Sequence, residues 1–390
     1  MAPLRKLLLL LLCALAAVGI AVARGKKTEE APPAPPAPTE AEVAPSPAPS
    51  APALFAEGLP VVLSTVPPGL PSLSAQGCNG CHYAAHDTWI GSQHAIAWKD
   101  PVYQAALRSA GGSTACLGCH LPLTNQHAEL AAGYVDGDLS RPRLAPNPSY
   151  DATLQSEGVT CVACHLRGDT ILGTRESPNA PHAVVVSAEL TQPELCATCH
   201  QLSWPEGDRP YYDTYGEWSA SSYAAAKVTC QMCHMAPTTG ISVPGSDGTL
   251  PAHTFSADVR RALSALIRLP SPVVRRGQPL AVHLTLQNTG AGHSVPTGNP
   301  FKKYRVEVAL LDSARKDLAP PQSLTLARTV ETTPPYRTTA DHRLAAGASM
   351  EADFSFNPSA KGALGAGSLV VRVVHNEQVT VLSEVGIEVR

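Results

Sequence analysis

Ten of the eleven cysteines fall into one repeated pattern, Cys-x-x-Cys-His. The five copies are Cys78-Asn79-Gly80-Cys81-His82, Cys116-Leu117-Gly118-Cys119-His120, Cys161-Val162-Ala163-Cys164-His165, Cys196-Ala197-Thr198-Cys199-His200 and Cys230-Gln231-Met232-Cys233-His234. Residue frequencies alone would supply roughly 0.01 such motifs in this chain, and the spacing is that of c-type haem attachment. The chemistry explains it: two thiols a helical turn apart add to the two vinyl groups of one porphyrin, and the next residue turns its imidazole to the iron. Five covalently attached haems c are therefore expected, with His82, His120, His165, His200 and His234 as proximal ligands. Two other uses of these cysteines explain less. Five pairs cannot be grouped into whole four-cysteine zinc sites, and neither zinc nor five short-loop disulfides requires a histidine after every second cysteine.

The haems also account for the composition. Only 44% of the 390 residues are hydrophobic and 5% aromatic, while 37 are proline and 29 glycine. Between Phe55 and Ser256 lie roughly 200 residues, about 40 per haem, so the porphyrins themselves are the expected core of a mainly irregular and α region. A charged fraction of 16% and a net charge of -3 leave no basic surplus to bind nucleic acid.

The amino-terminal residues read as an export leader, with basic Arg5 and Lys6, an apolar run from Leu7 to Val22 and a small-residue cleavage site at Ala21-Val22-Ala23. Residues 24–54 form an Ala/Pro-rich linker, too poor in apolar surface to fold and biased by its prolines toward extended structure. It could hold the folded body away from a membrane or cell surface. Localisation is expected to be periplasmic or at the cell surface.

Methionine is too scarce to complete the iron coordination, whereas nine histidines remain. Bis-His ligation is therefore expected, which gives lower potentials than Met/His ligation. His94 lies in Trp89-Ile90-Gly91-Ser92-Gln93-His94-Ala95, in a helical stretch expected to run to about Pro101. His182 lies in a loop before a helix expected near Thr191, with Thr191 as cap and Pro193 in its first turn. His253 closes the haem region, and His127 and His86 compete for the remaining position. Trp89-x-x-Ser92-x-His94 recurs as Trp218-x-x-Ser221-x-Tyr223, where the phenol is expected to pack or hydrogen-bond.

After about Ala262 the pattern changes to period two. Segments at Ala281–Leu286, Tyr304–Leu310, Met350–Phe356 and Leu369–Val374, with others near Leu324 and Val385, read as strands of an all-β immunoglobulin-like sandwich. The expected organisation is thus a leader at 1–23, the linker at 24–54, a pentahaem cytochrome c region at 55–262 and the sandwich at 263–390. The turn-rich Gly290–Pro300 loop presents His293, a further distal candidate that would tie the two regions together. His283, His342 and His375 read as ordinary strand or loop histidines.

From Cys78 to Gly298 the chain resembles the multihaem cytochrome c family that includes the tetrahaem cytochrome c of ammonia-oxidising bacteria. The resemblance rests on the first motif followed by Trp89-x-x-Ser92-x-His94-Ala95, and on Gly158-Val159-Thr160-Cys161. It continues through Leu195-Cys196-x-x-Cys199-His200-Gln201, Glu217-Trp218-x-x-Ser221, Cys230-Gln231-x-Cys233-His234-Met235, His253-x-Phe255 and His293-Ser294-Val295-Pro296-Thr297-Gly298. It implies electron transfer outside the cytoplasm and His94, His182, His253 and His293 as distal ligands. Five motifs rather than four, and the added β region, depart from the tetrahaem pattern. The expected function is electron transfer through closely spaced low-spin haems, with redox proteins or a quinol-linked membrane complex as partners. The alternative is an oxidoreductase acting on nitrite, hydroxylamine or tetrathionate at one five-coordinate haem.

Overall fold

The computed structural model describes residues 59–63, 65–109, 116–203, 210–241, 248–331, 333 and 337–390. The expected leader and linker lie outside the described residues. Among those described, no helix is long and apolar enough to cross a membrane.

The motif-bearing part is a string of short helices. They are α1 (Ala75–Ile90), α2 (Pro101–Ser109), α3 (Leu117–His120), α4 (Ala152–Ser156), α5 (Cys161–His165), α6 (Pro193–His200), α7 (Thr214–Ser219), α8 (Ser222–Ala225), α9 (Cys230–His234) and α10 (Val259–Ala262). Four motifs occupy one or two turns of α3, α5, α6 and α9, each ending at its histidine. Pro193 opens α6 at a position where its missing N–H costs nothing. Among the described residues, apolar burial here falls in small clusters, such as Leu63, Leu73, Leu123, Leu154, Val162, Ala163 and Leu166.

Two expectations need correction. α1 ends at Ile90, so His94 lies in the turn beyond Gly91 and not in a helix. Thr191 does not cap α6: its hydroxyl donates to the Ala188 carbonyl at 2.9 Å, and the cap position is Gln192.

Short strands also run between the helices. β1 (Glu129–Val135) and β2 (Asp138–Pro146) form a hairpin; β3 (Leu166–Arg167), β4 (Thr170–Gly173) and β5 (Val184–Val186) form a small sheet; β6 (Gln201–Ser203) pairs with β7 (Pro210–Asp213), and β8 (Pro237–Thr239) with β9 (Thr249–Pro251). The sequence reading left these as irregular structure. Most are two to four residues long, too short for a period to register. The hairpin had a local signal in Asp136-Gly137, whose φ values of 54° and 77° suit its tight turn.

The remaining strands are β10 (Leu263–Arg268), β11 (Val273–Val274), β12 (Leu280–Asn288), β13 (Lys303–Leu311), β14 (Gln322–Val330), β15 (Thr338–Asp341), β16 (Ser349–Phe356), β17 (Gly365–His375) and β18 (Gln378–Val389). They form a three-stranded sheet, β10-β12-β16, and a six-stranded sheet, β11-β18-β17-β13-β14-β15. One apolar core lies between them, from Val282, Leu284 and Leu286 on one side to Val306, Val308, Leu326 and Val371 on the other. The alternating burial of β12 is the period-two pattern of its sequence.

The described residues belong to a single compact unit. The β region grips the helices at one seam. Arg343 pairs with Glu217 and with Asp341, the latter at 2.8 Å. Arg328 donates to the Tyr211 carbonyl, and the Tyr223 hydroxyl to the Thr289 carbonyl, each at 2.8 Å. Gly290 admits the close approach, since a Cβ there would lie 1.7 Å from the Arg261 carbonyl oxygen.

Candidate haem centres

Four of the five motif histidines face another histidine across a gap of nearly constant width. Ring centroids are 6.3 Å apart for His82 and His182, 6.3 Å for His94 and His200, 6.2 Å for His165 and His253, and 6.2 Å for His234 and His293. Two imidazoles on opposite sides of one metal ion, with bonds of about 2.0–2.1 Å and a ring nitrogen about 1.1 Å from its centroid, have centroids about 6.3 Å apart. The residues therefore fit a group that takes one imidazole on each face. Ring planes cross at 38°, 57°, 46° and 16° in the same order.

The far ring nitrogens support the same orientation. Nδ1 of His120, His165, His234, His253 and His293 meets the carbonyl oxygen of Ala97, Leu172, Ser256, Pro251 and Ser294 at 2.8, 2.9, 2.9, 2.9 and 3.0 Å. A carbonyl only accepts, so Nδ1 carries the proton and Nε2 is left with a free lone pair. Burial, followed by the neighbouring histidines, pushes His94 down to about 4; burial and then His165 push His253 down to about 4. Both are neutral, the form that binds metal.

His120 has no histidine opposite it among the described residues. Its ring instead stacks on Tyr103, with centroids 3.6 Å apart and planes 9° apart. The two residues that sequence reasoning offered for a fifth pair lie elsewhere. His127 is buried, and its Nε2 is hydrogen-bonded to the Leu121 carbonyl at 2.8 Å. That nitrogen must carry the proton and has no lone pair to offer. His86 packs against Trp89 at 5.6 Å, with Nδ1 3.8 Å from the Asp87 carboxylate.

The Trp-x-x-Ser echo is structural. Trp89 Nε1 donates to the Val159 carbonyl at 3.0 Å and Trp218 Nε1 to the Val228 carbonyl at 2.9 Å. Each valine stands two residues before a motif, in Val159-Thr160-Cys161 and Val228-Thr229-Cys230. The preceding Gly158 and Lys227 have φ of 60° and 58°. Sequence reading singled out the tryptophans and Val159-Thr160-Cys161, but not the recurrence at Val228-Thr229-Cys230 or the bond from each indole to the valine. Ser92 Oγ and Ser221 Oγ accept from the Ala95 and Tyr223 amides, each at 3.2 Å.

Cysteines of different motifs also meet. The thiols of Cys78 and Cys161, of Cys119 and Cys199, and of Cys196 and Cys230 are hydrogen-bonded. The partner thiol and then burial push Cys161, Cys196 and Cys199 up. These sulfurs stand where thioether sulfurs would lie. The first motif thus adjoins the third, and the fourth adjoins both the second and the fifth. Cys164 and Leu195, the residue before Cys196, pack on the same small cluster of Leu172 and Leu190, joining third to fourth.

A sequence profile of the family described as "Cytochrome c554 and c-prime" matches residues 77–136. No match was found among curated proteins. Among solved structures, a penta-heme cytochrome c552 from Thermochromatium tepidum superposes with a TM-score of 0.56 at 18% identity, covering 81% of this chain and 98% of that one. The fold is that of a multihaem cytochrome c. Because everything up to Ala262 is about two thirds of the chain, this likeness must extend into the β region. The CARDB domain of a Pyrococcus furiosus protein, at 13% identity over 33% of this chain and 87% of that one, superposes with a TM-score of only 0.20.

Proposed function

We propose that the chain is a pentahaem c-type cytochrome that transfers electrons outside the cytoplasm. The observation that carries this reading is the set of four histidine pairs at 6.2–6.3 Å. His82 with His182, His94 with His200, His165 with His253 and His234 with His293 would each hold one iron between them. Haem supplies reversible one-electron chemistry when bound. The chain holds the proton on the far nitrogen of His165, His234, His253 and His293, keeps His94 and His253 neutral by burial, and brings the attachment cysteines of neighbouring sites into contact.

We read the chain as a relative of the tetrahaem cytochrome c of ammonia-oxidising bacteria, extended by one site and by an immunoglobulin-like sandwich. Export to the periplasm or cell surface accords with c-type haem attachment and with the leader-like residues 1–23. Redox proteins or a quinol-linked membrane complex would be the partners.

One observation favours a second reading, an oxidoreductase acting on nitrite, hydroxylamine or tetrathionate. His120 lacks an opposing histidine, so one of five sites is a candidate for an open iron. Intact mass and the electron paramagnetic resonance (EPR) spectrum of the oxidised protein test both readings. Electron transfer predicts five haem masses, four low-spin irons and no turnover; carbon monoxide binding to one haem with turnover of such a substrate would favour the enzyme. His293→Ala should convert one further iron to high spin, and an unchanged spectrum would overturn the pairing.

A further inference from the structure

The four pairs differ in what holds the ring nitrogen that faces away from the gap. In two of them both histidines are anchored: His165 and His253 to the Leu172 and Pro251 carbonyls at 2.9 Å, and His234 and His293 to the Ser256 and Ser294 carbonyls at 2.9 and 3.0 Å. An Nδ1–H that donates to a carbonyl leaves more electron density on the ring, which makes Nε2 a stronger donor and favours the oxidised metal. His182 is different. Its Nδ1 is buried and has no hydrogen-bond partner among the described residues. The backbone beside it is fixed, because the Pro181 carbonyl packs on Gly69, where a Cβ would lie 2.0 Å from the oxygen. The ring is held in place without an acceptor. A buried donor of this kind is costly, and such groups cluster where they serve a function.

We propose that His182 is a tuning residue: its unpartnered Nδ1 makes the site between His82 and His182 more oxidising than the two doubly anchored sites. The first and third motifs touch through Cys78 and Cys161. Electrons would therefore pass from the third motif to the first, giving the chain a direction at that end. This rests on the electron-transfer reading and adds to it which end is the acceptor.

The test is an EPR-monitored redox titration of the full haem-loaded protein. His182→Ala, His253→Ala and His293→Ala should each delete one low-spin signal and so assign it in the wild-type spectrum. The signal deleted by His182→Ala is expected to disappear at the most positive potential of the three. Its reduction after either of the others would overturn the inference, whereas failure of all three variants to delete a low-spin signal would overturn the ligand pairing itself. A measurement without variants gives a second check. In nitrogen-resolved proton spectra of the reduced protein, the His182 Nδ1–H should lie upfield of the carbonyl-bonded protons of His165, His234, His253 and His293. A His182 proton as far downfield as these would likewise overturn the assignment.

Discussion

Removing the Glu217 carboxylate should loosen the His293 loop from the helices. One carboxylate oxygen accepts from the Ser294 amide at 3.1 Å and from the Thr297 hydroxyl at 2.7 Å, while the other pairs with Arg343. Side-chain exposure is 10% for Glu217 and 11% for Arg343, so water cannot replace the lost partner. Breaking a buried pair from one side costs about 3–5 kcal/mol, because the remaining charge stays desolvated. Asp341 still faces Arg343 at 2.8 Å and is 31% exposed, which places the expected loss for Glu217→Ala near the lower end, about 3 kcal/mol. Glu217→Gln keeps acceptors for Ser294 and Thr297 and should lose less. Denaturant unfolding of the haem-loaded protein reads the global effect, and the EPR signal assigned through His293→Ala reads the local one. Burial also makes the loss nearly independent of salt. A loss under about 1 kcal/mol that vanishes at high salt is the behaviour of an exposed pair and would refute the reasoning.

His127→Ala and His86→Ala should leave the number of low-spin irons unchanged, since neither ring faces a motif histidine; loss of a low-spin signal in either variant would restore it as a ligand. The His234 and His293 planes, 16° apart, should give the most rhombic low-spin signal, and those of His94 and His200, at 57°, the most axial, because near-parallel rings split the iron orbitals they bond to. An EPR spectrum with the order reversed in the His293→Ala and His94→Ala variants contradicts the geometry. Acid should weaken the seam: burial alone would raise the Asp341 carboxyl, but Arg343 holds it below its ordinary value. The unfolded chain therefore binds more protons there, and stability present above the unfolded value is lost as pH falls through the folded one. Unfolding curves at pH 7 and pH 3 that coincide would rule this out.

What was legible in the sequence is what covalent chemistry fixes locally. Thioether attachment would demand Cys-x-x-Cys-His whatever the surroundings, so spacing alone marks each candidate attachment cysteine and proximal histidine. The strands after Ala262 were legible because they are eight to twelve residues long where they matter most and alternate in burial, as β12 does. The pairings were not legible, because a distal ligand needs only to reach its iron through space. His94 stands twelve residues after His82 yet faces His200, while His82 faces His182. Nor could sequence reveal that His127 turns its Nε2 to the Leu121 carbonyl, since that depends on how a three-residue turn at Thr124–Gln126 folds back.

The β region is more than a cap on this arrangement. His293 belongs to the loop after β12, and His234 ends α9, so that pair exists only where the two regions meet. The same seam carries Glu217 with Arg343, the Arg328 contact to Tyr211, and Tyr223 in the echo of the Trp89 turn. In the first copy of that turn His94 faces His200 of the fourth motif; in the second copy Tyr223 stands in its place and donates to the Thr289 carbonyl. A repeated Trp-x-x-Ser unit accordingly does two jobs with one change of residue: one copy sets a histidine opposite a motif histidine, and the other holds the loop that presents His293.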